Sequence, residues 1–582
     1  MSHAPEKSET SGATLLLHSG RVFTGIELHP TATAVLITED RIAKVGTSEE
    51  LLSMAGHSAQ VIDVQGGLIT PGFIDAHVHP VYGGMERNTC DLTAAEDRDE
   101  TLEAVRHYVE AQQATTDNNS EWVFGGGWYT GFFSELGPTA SELDKVTGSV
   151  PAYLISADHH AVWVNSAALN LAGIDADTPD PEDGVIERDN SGEPTGLLHE
   201  GAMELMGKVL PPHSPEDFSA GLETAIRYLH SLGVVGWQEA ILGKYAGYPD
   251  VSDTYRQALR AATITEAATG ALWVPRDLTL ERVATLVEDF KQRQKNNAEA
   301  GFITSTAKIM IDGVPENKTA AMLDDYCRCD ALGMGRTPAE GQPDRGLTYL
   351  EFDVLIAVSV ALDAAGFDLH FHAIGDRAVR WALDAIEQAR KHNSDSTGRH
   401  HIAHIQIVHP DDLPRFAQVD ATANIQALWA SRDPQMIEHT IPQLGAIRTS
   451  WQYPFASIAE SGAKVCMGSD WPVSSADPWQ AIHVAVNRTF PHVLDQQAAH
   501  HKPLEQGEAL TLEAALHAYT AGSAWQLRLE NSYGRVEAGA QANIAVANRN
   551  PFDDVSSGQP SSICTTKNVL TISSGKVVYH VR

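Results

Sequence analysis

The sequence predicts an α/β protein built on a (β/α)8 TIM barrel, with a small β-sandwich formed by both chain termini and an inserted lid-like segment after the first barrel strand. Three observations carry this expectation. Apolar strand-like runs alternate with amphipathic helical stretches along most of the 582 residues, short β-rich pieces recur at both ends, and histidines gather where apolar runs finish.

The β-rich pieces come first: ATLLLHSGRVFTG, TAVLITEDRIAKVG and AQVIDVQGGLITPG are each broken by Gly or Asp turn chemistry. The same texture returns in ANIAVANRN and VLTISSGKVVYHV. Residues 1–70 and 526–582 are therefore assigned to the two parts of one sandwich, since chain ends often lie close together. Residues 71–525 are assigned to the barrel. Its eight strands are expected in GFIDAHVH, VVGWQEA, ALWVPR, TAKIMIDG, FDLHFHAIG, HHIAHIQIV, ATANIQAL and KVCMGSDWPV. The first two are separated by roughly 150 residues, far beyond what a βα loop needs, so an insert at about 85–215 is placed there.

Composition narrows the function classes. A net charge of −35 repels phosphate backbones and anionic lipid surfaces, so neither nucleic acid nor membrane is expected as a partner. A small molecule is, and a homodimer is compatible with the composition. No apolar run approaches the roughly 18 residues of a membrane span, and the start of the chain does not read as a secretory signal. Five scattered cysteines suit reduced thiols and a cytoplasmic location. The pair Cys327 and Cys329 has no partner cluster at zinc-finger spacing and reads as incidental.

The chemistry begins at His77-Val78-His79, where period-two alternation sends both imidazoles to one face of a strand and lets them grip one metal ion. An isolated His-x-His is weak; this one closes a strand after a Gly/Pro-rich β module, where barrel enzymes build their sites. His372, His401 and His404 follow at later strand ends, and Asp470 closes the series in MGSDWPV. Lys308 sits in the otherwise apolar TAKIMIDG and must be neutralised, paired or modified. Two readings stay open from spacing alone: a salt bridge to Asp312, or a carbamate formed with carbon dioxide that bridges two metals.

The stretches GFIDAHVHP, PAYLISADHHAVWVNSAALNLAGI, AKIMIDG, HAIGDRAV, HIAHIQIVHPDDLPRF, YPFASIAESGAKVCMGSDWPV and LTLEAALHAYTAGSAW, in this order, resemble the amidohydrolase superfamily (amidohydrolase family 3). Within it they resemble the branch of N-substituted formamide deformylases. The resemblance implies a metal-ligand set of His77, His79, a carboxylated Lys308, His372, His404 and Asp470, holding two Zn2+ or other divalent transition-metal ions. It sets His370, His400 and His401 aside as neighbours. It also places an Asp-x-His segment and a Trp-Val-Asn-Ser segment near the site, matched by Asp158, His160, Trp163 and Asn165, with His159 an added neighbour. His160 is the expected catalytic and substrate-contacting histidine, and Trp128, Gln426, Trp429 and Trp471 are expected pocket walls.

The implied reaction is hydrolysis of a non-peptide carbon–nitrogen bond in an N-substituted amide, formamide or carbamate, by metal-activated hydroxide with Asp470 as proton shuttle. Alternatives are a one-metal deaminase of a heterocycle, a lactone or ester hydrolase, and a barrel that binds metal without catalysis.

Overall fold

Each of the eight expected runs becomes a strand: β1 (Phe73–Val78), β2 (Val234–Leu242), β3 (Ala267–Trp273), β4 (Ile303–Met310), β5 (Asp368–Ala373), β6 (His401–His404), β7 (Thr422–Ile425) and β8 (Val465–Met467). In the computed structural model they hydrogen-bond in that order as one parallel sheet. The structure describes residues 14–581 except 96, 115–121, 134–136, 158, 182–183, 246–248, 328–341 and 492–501, so Asp158 and Cys329 lie outside the described residues.

The ring closes just past the strand ends, where Asp470 N donates to His77 O at 2.7 Å and His79 N donates to Trp471 O at 2.8 Å. Gly468 permits that approach, because a Cβ there would lie 2.5 Å from His77 N. Inside the barrel, register organises the polar groups. Lys308, His370 and His401 are Cα partners across β4, β5 and β6. On β5 the alternation is visible residue by residue: Leu369, Phe371 and Ala373 join the apolar core, while His370 reaches His77 on the opposite side of the barrel.

After β1 the chain forms helix α1 (Pro80–Arg87) and returns to the barrel through α2 (Pro215–Ser231), which opens on a Ser214–Asp217 capping box with Pro215 in its first turn. Between them lies a six-stranded sheet, in the order Gly184–Arg188, Pro194–Glu200, Ala161–Val164, Ala152–Ser156, Val123–Trp128, Cys90–Asp91. Both of its faces are covered. Ala161 and Trp163 pack into one cluster with Trp128 and Leu154, and Val162 and Val164 into another with Leu198 and Met206. That explains the unbroken apolar run AVWV.

The terminal strands form a four-stranded and a five-stranded sheet; in the second, Ile544–Ala547 pairs antiparallel with Leu68–Pro71. Leu15, Leu17, Val35 and Ile37 of the first sheet pack with Ile544, Val546, Leu570 and Ile572 of the second. Among the described residues no helix is long and apolar enough to cross a membrane.

The insert leaves and re-enters the barrel through one tight helix crossing. A Cβ on Gly84 of α1 would lie 1.8 Å from Gly221 O of α2, and a Cβ on Gly221 would lie 2.7 Å from Val81 O. Backbone atoms cannot move aside as a flexible side chain can, so Gly84→Ala is expected to destabilise by about 1–3 kcal/mol. Thermal unfolding reads this as a fall of several degrees, with each 1 kcal/mol worth roughly 2–4 °C or less in a chain this long. An unchanged Tm would show that the helices have room to separate.

Candidate metal centre and active site

The strand ends bring together residues far apart in the chain. His77 Nε2 lies 3.2 Å from Asp470 Oδ1 and 3.3 Å from Lys308 Nζ. His79 Nε2 lies 3.2 Å from the same Asp470 oxygen. Donor atoms of His77, His404 and Asp470 fall within 4.8 Å of one another, and the His372 ring packs against His404 at 4.4 Å between centroids. All six expected ligands therefore meet at one place.

The donor set fits a divalent transition metal by its chemistry, nitrogen and carboxylate oxygen, and by its unfinished bonding. Among the described residues, His372 Nε2 and His404 Nδ1 are buried without a hydrogen-bond partner, a state that costs free energy unless another electron-pair acceptor completes it. Backbone strain gathers here too. His404 (φ 75°), Ile405 (φ 51°) and Asp470 (φ 57°) occupy left-handed backbone, a conformation of order 1–3 kcal/mol uphill for each non-glycine residue.

Groups behind the ligands set their tautomers. Gln238 Oε1 lies 2.9 Å from His370 Nδ1, and His370 Nε2 lies 3.0 Å from His77 Nδ1. A carbonyl oxygen accepts only, so His370 donates from Nδ1 and accepts at Nε2 from His77 Nδ1–H. The lone pair of His77 is thereby left on Nε2, facing the cluster. Burial, helped by the Lys308 charge, pulls His77 down to about 3. His79 is held differently: Nδ1 is 3.3 Å from Glu239 Oε1, while Tyr255 OH donates to the other Glu239 oxygen at 3.1 Å. Burial pulls the His79 pKa down, but its hydrogen bonds to Asp470 and Glu239 prevail and lift it to about 9.

Lys308 is buried and, among the described residues, forms no ion pair with a carboxylate. The salt bridge to Asp312 is not formed. The Asp312 carboxylate instead accepts from Ala321 N (2.8 Å), Ile374 N (3.1 Å) and Gly375 N (2.8 Å), because β4 ends at Met310 and the chain turns before residue 312. Burial brings the Lys308 ammonium down to about 7, so the neutral amine is accessible near neutral pH.

A cavity of about 340 Å3 stands over the cluster. The insert supplies Trp128, Tyr129, His159, His160 and Met203 to its wall, and the barrel loops supply Tyr245, Trp429, Tyr453 and Phe490. Trp429 stacks flat on His404, with 5.0 Å between centroids and 2° between planes. Among the described lining residues Lys308 is the only Lys or Arg, and Glu316 and Asp433 add carboxylates. Asp433 is pushed up to about 7 by burial.

Two expected pocket residues are corrected. Gln426 does not line the cavity: its Oε1 accepts from His404 N at 2.8 Å and its Nε2 donates to Asn424 Oδ1 at 3.2 Å, so it braces β6 against β7. Trp471 also turns away. Its ring packs on Tyr228 at 5.2 Å and over Gly83 of α1, where a Cβ would come within 2.7 Å of it. Trp128 does reach the wall, although its Nε1 donates to Leu154 O at 2.8 Å.

The Trp-Val-Asn-Ser segment folds the insert. Asn165 caps the helix Ser166–Ala172 and also accepts from Ala152 N at 3.0 Å, and Trp163 Nε1 donates to Thr139 O at 2.9 Å. The neighbouring histidines are both on the cavity wall, each tied to its own carboxylate: His159 Nε2 to Glu86 Oε1 at 3.3 Å, His160 Nδ1 to Glu200 Oε1 at 2.8 Å. Glu86, Glu200, Gln238 and Glu239 were not anticipated. The Gln-Glu pair inside the apolar run VVGWQEA was the one local signal, since paired polar residues in a buried strand need a task.

Known proteins bear on this arrangement. A sequence profile described as the amidohydrolase family matches residues 60–579. The protein LONG AFTER FAR-RED 3 of Arabidopsis thaliana is 28% identical over 568 residues, 95% of this chain and 90% of that protein. The N-substituted formamide deformylase of Arthrobacter pascens is 27% identical over 566 residues, 93% and 94% respectively. In fold, the chain is similar to the crystal structure of an uncharacterized metal-dependent hydrolase from Pyrococcus furiosus, with a TM-score of 0.64 and 24% identity over 93% of this chain and all of that one. A profile match of this extent, laid over a parallel barrel with histidines and an aspartate at its strand ends, means that the chain belongs to the amidohydrolase family.

Proposed function

We propose that this amidohydrolase-family, metal-dependent hydrolase cleaves a non-peptide carbon–nitrogen bond in a small, mostly apolar N-substituted amide, formamide or carbamate. The observation that carries the reading is the cavity: aromatic and aliphatic walls over a His/Lys/Asp cluster, with Lys308 the only Lys or Arg among the described lining residues. An anionic phosphate ester would find little complementary charge from such side chains. Likeness to the formamide deformylase supports the carbon–nitrogen bond.

His77, His79, Lys308 as its carbamate, His372, His404 and Asp470 would hold two divalent ions, zinc by donor type. Bound there, the metal supplies Lewis-acid polarisation of a carbonyl and acidification of water. The chain's own groups do the rest. Asp470 Oδ1, already 3.2 Å from two imidazoles, accepts the proton of the attacking water and returns it to the leaving nitrogen. Gln238 and His370 keep the His77 lone pair on Nε2, and the insert walls exclude bulk water. His160 touches the substrate from the insert side.

Metal analysis of the purified protein is expected to find up to two transition-metal ions, and a strong chelator is expected to abolish activity. A folded, metal-free chain with full activity would overturn the reading. His160→Ala is expected to lower kcat/KM roughly tenfold or more; an unchanged value would assign the residue to folding of the insert. Substrate class is tested with a panel of N-benzylformamide, N-acetyl amines, aryl carbamates, a dipeptide, a lactone and a phosphotriester. Turnover confined to the last three would refute the non-peptide carbon–nitrogen assignment.

A further inference from the structure

The ends of β2, β3 and β4 converge on one phenol. Tyr245 lies just past β2 on the cavity wall, its ring packed on Trp273 at the end of β3 with 4.8 Å between centroids. Two groups meet its hydroxyl. Arg276 Nη2 donates to the oxygen at 3.1 Å, and the O–H is turned to the thioether of Met310, with Sδ at 3.7 Å. Met310 also lines the cavity and ends β4, the strand that carries Lys308. The hydroxyl therefore stands on the barrel face where the expected ligands gather. Its proton is poorly spent there. A guanidinium only donates, so Arg276 occupies the phenol oxygen and leaves the proton to be given elsewhere. A thioether is a weak acceptor, and this sulfur already lies 3.0 Å from Arg276 Nη2. Two other tyrosines of the wall use their protons fully: Tyr82 donates to Pro249 O at 2.5 Å, and Tyr129, which accepts from Gln435 N at 3.1 Å, bonds the Asp433 carboxylate. Arg276 is itself seated by rings, its guanidinium 3.8 Å from the Tyr349 centroid and 5.1 Å from that of Tyr245. Burial raises the Tyr245 phenol above its ordinary value against the pull of the Arg276 charge, so the group stays a neutral donor through the neutral pH range.

We propose that Tyr245 is a catalytic residue: its O–H, oriented by Arg276, donates to the carbonyl oxygen of the substrate, and that hydrogen bond strengthens as the oxygen gains negative charge. This role rests on the hydrolytic reading above but asks only for a carbonyl, so it serves an amide, formamide, carbamate or lactone alike. The oxygen of the attacking water bonds the carbonyl carbon, and the π pair moves onto the carbonyl oxygen facing Tyr245. When the bond to the leaving group breaks, that pair re-forms the double bond and the leaving atom takes the proton held by Asp470. The Tyr245 proton is shared throughout and is not transferred.

The test is steady-state kinetics of the metal-loaded full chain on whichever carbonyl compound of the panel the unaltered chain turns over fastest. Tyr245→Phe keeps the ring on Trp273 and removes the hydroxyl. It is expected to lower kcat and kcat/KM together by roughly 10–100-fold, below the 10²–10³ of a lone oxyanion donor because a bound metal shares the charge. KM should stay within about threefold, the mark of a contact made chiefly in the transition state. Metal content is measured on each variant and should match the unaltered chain. Should Tyr245→Phe fail to fold, because Arg276 Nη2 loses its acceptor, O-methyltyrosine placed at position 245 keeps the oxygen and removes only the proton; the same fall in kcat is expected, whereas a methyl group that merely blocked the cavity would raise KM. A kcat within about twofold of the unaltered value in Tyr245→Phe, a loss confined to KM, or a loss that tracks missing metal would overturn the role of Tyr245 while leaving the carbon–nitrogen reading in place. Turnover confined to the lactone, with kcat lost in Tyr245→Phe, would refute the carbon–nitrogen reading and uphold Tyr245. Turnover confined to the phosphotriester would overturn both.

Discussion

Lys308→Ala is expected to lose metal and activity together, by about a thousandfold or more. The magnitude follows from what a bound metal contributes, several kcal/mol of transition-state stabilisation, with each tenfold in rate worth about 1.4 kcal/mol. The structural reason is the isolation of the amine. Lys308 Nζ lies 3.3 Å from His77 Nε2 with no carboxylate paired to it among the described residues, and burial lowers it to about 7. A protonated lysine cannot ligate a cation, whereas a neutral amine could add carbon dioxide and lose a proton to give an anionic carbamate with two donor oxygens, the form proposed above for Lys308. Bicarbonate with added metal is not expected to rescue Lys308→Ala; a small carboxylate such as acetate, entering the space left by the side chain, is expected to restore part of both metal content and rate. Mass measurement of the intact chain or density at Lys308 checks the carbamate directly. Wild-type rate and metal content in Lys308→Ala would reduce the lysine to a filler of the barrel interior.

Asp470→Asn is expected to lower kcat by roughly 10²–10⁴-fold, the range of a lost general acid–base group, with KM changed far less. The substitution is a clean one. Asp470 stands at φ 57°, and asparagine tolerates left-handed backbone well, so the loop that closes β8 onto β1 should keep its path. The amide oxygen can still accept a hydrogen bond from His79, but an amide cannot take up the proton of an attacking water and hand it on. Steady-state kinetics beside metal analysis separate the two roles: retained metal with a collapsed kcat assigns proton transfer to Asp470, and loss of metal assigns ligation. An undiminished kcat would refute the shuttle.

The local reading of the chain went furthest where one element carried the whole signal. Alternation of apolar and polar residues over a few positions is enough to mark β1 or β5 as strands, and the expected ligands His77, His79, His372, His404 and Asp470 could be placed at strand ends because those ends are punctuated by Gly, Pro or a change of period. The ligands' meeting place follows from topology, since parallel strands around a barrel deliver all their C-terminal ends to one face. The partners of those ligands were hidden for the opposite reason. Glu239 is 160 residues from His79 and Gln238 is 132 from His370; nothing in either neighbourhood names the other.

Side-chain direction past a strand end was equally out of reach. Gln426 and Trp471 occupy positions that look pocket-facing, but both follow a strand's last residue, where period-two alternation no longer applies. Gln426 turns to the unpaired amide of His404, and Trp471 takes the seat that Gly83 leaves open on α1. The Lys308–Asp312 pairing failed similarly: two residues four apart on one strand would share a face, but β4 stops at Met310 and three backbone amides capture the Asp312 carboxylate. By itself, then, the sequence pointed to the barrel and to β-rich pieces at both ends through short-range periodicity and motif, and it marked the histidines and aspartate that the fold gathers at one barrel face. Tertiary structure alone decided which tautomers His77 and His370 hold, which aromatic rings wall the cavity, and that Glu200 grips His160, because hydrogen bonds and close packing depend on approach in space between segments that the chain keeps far apart.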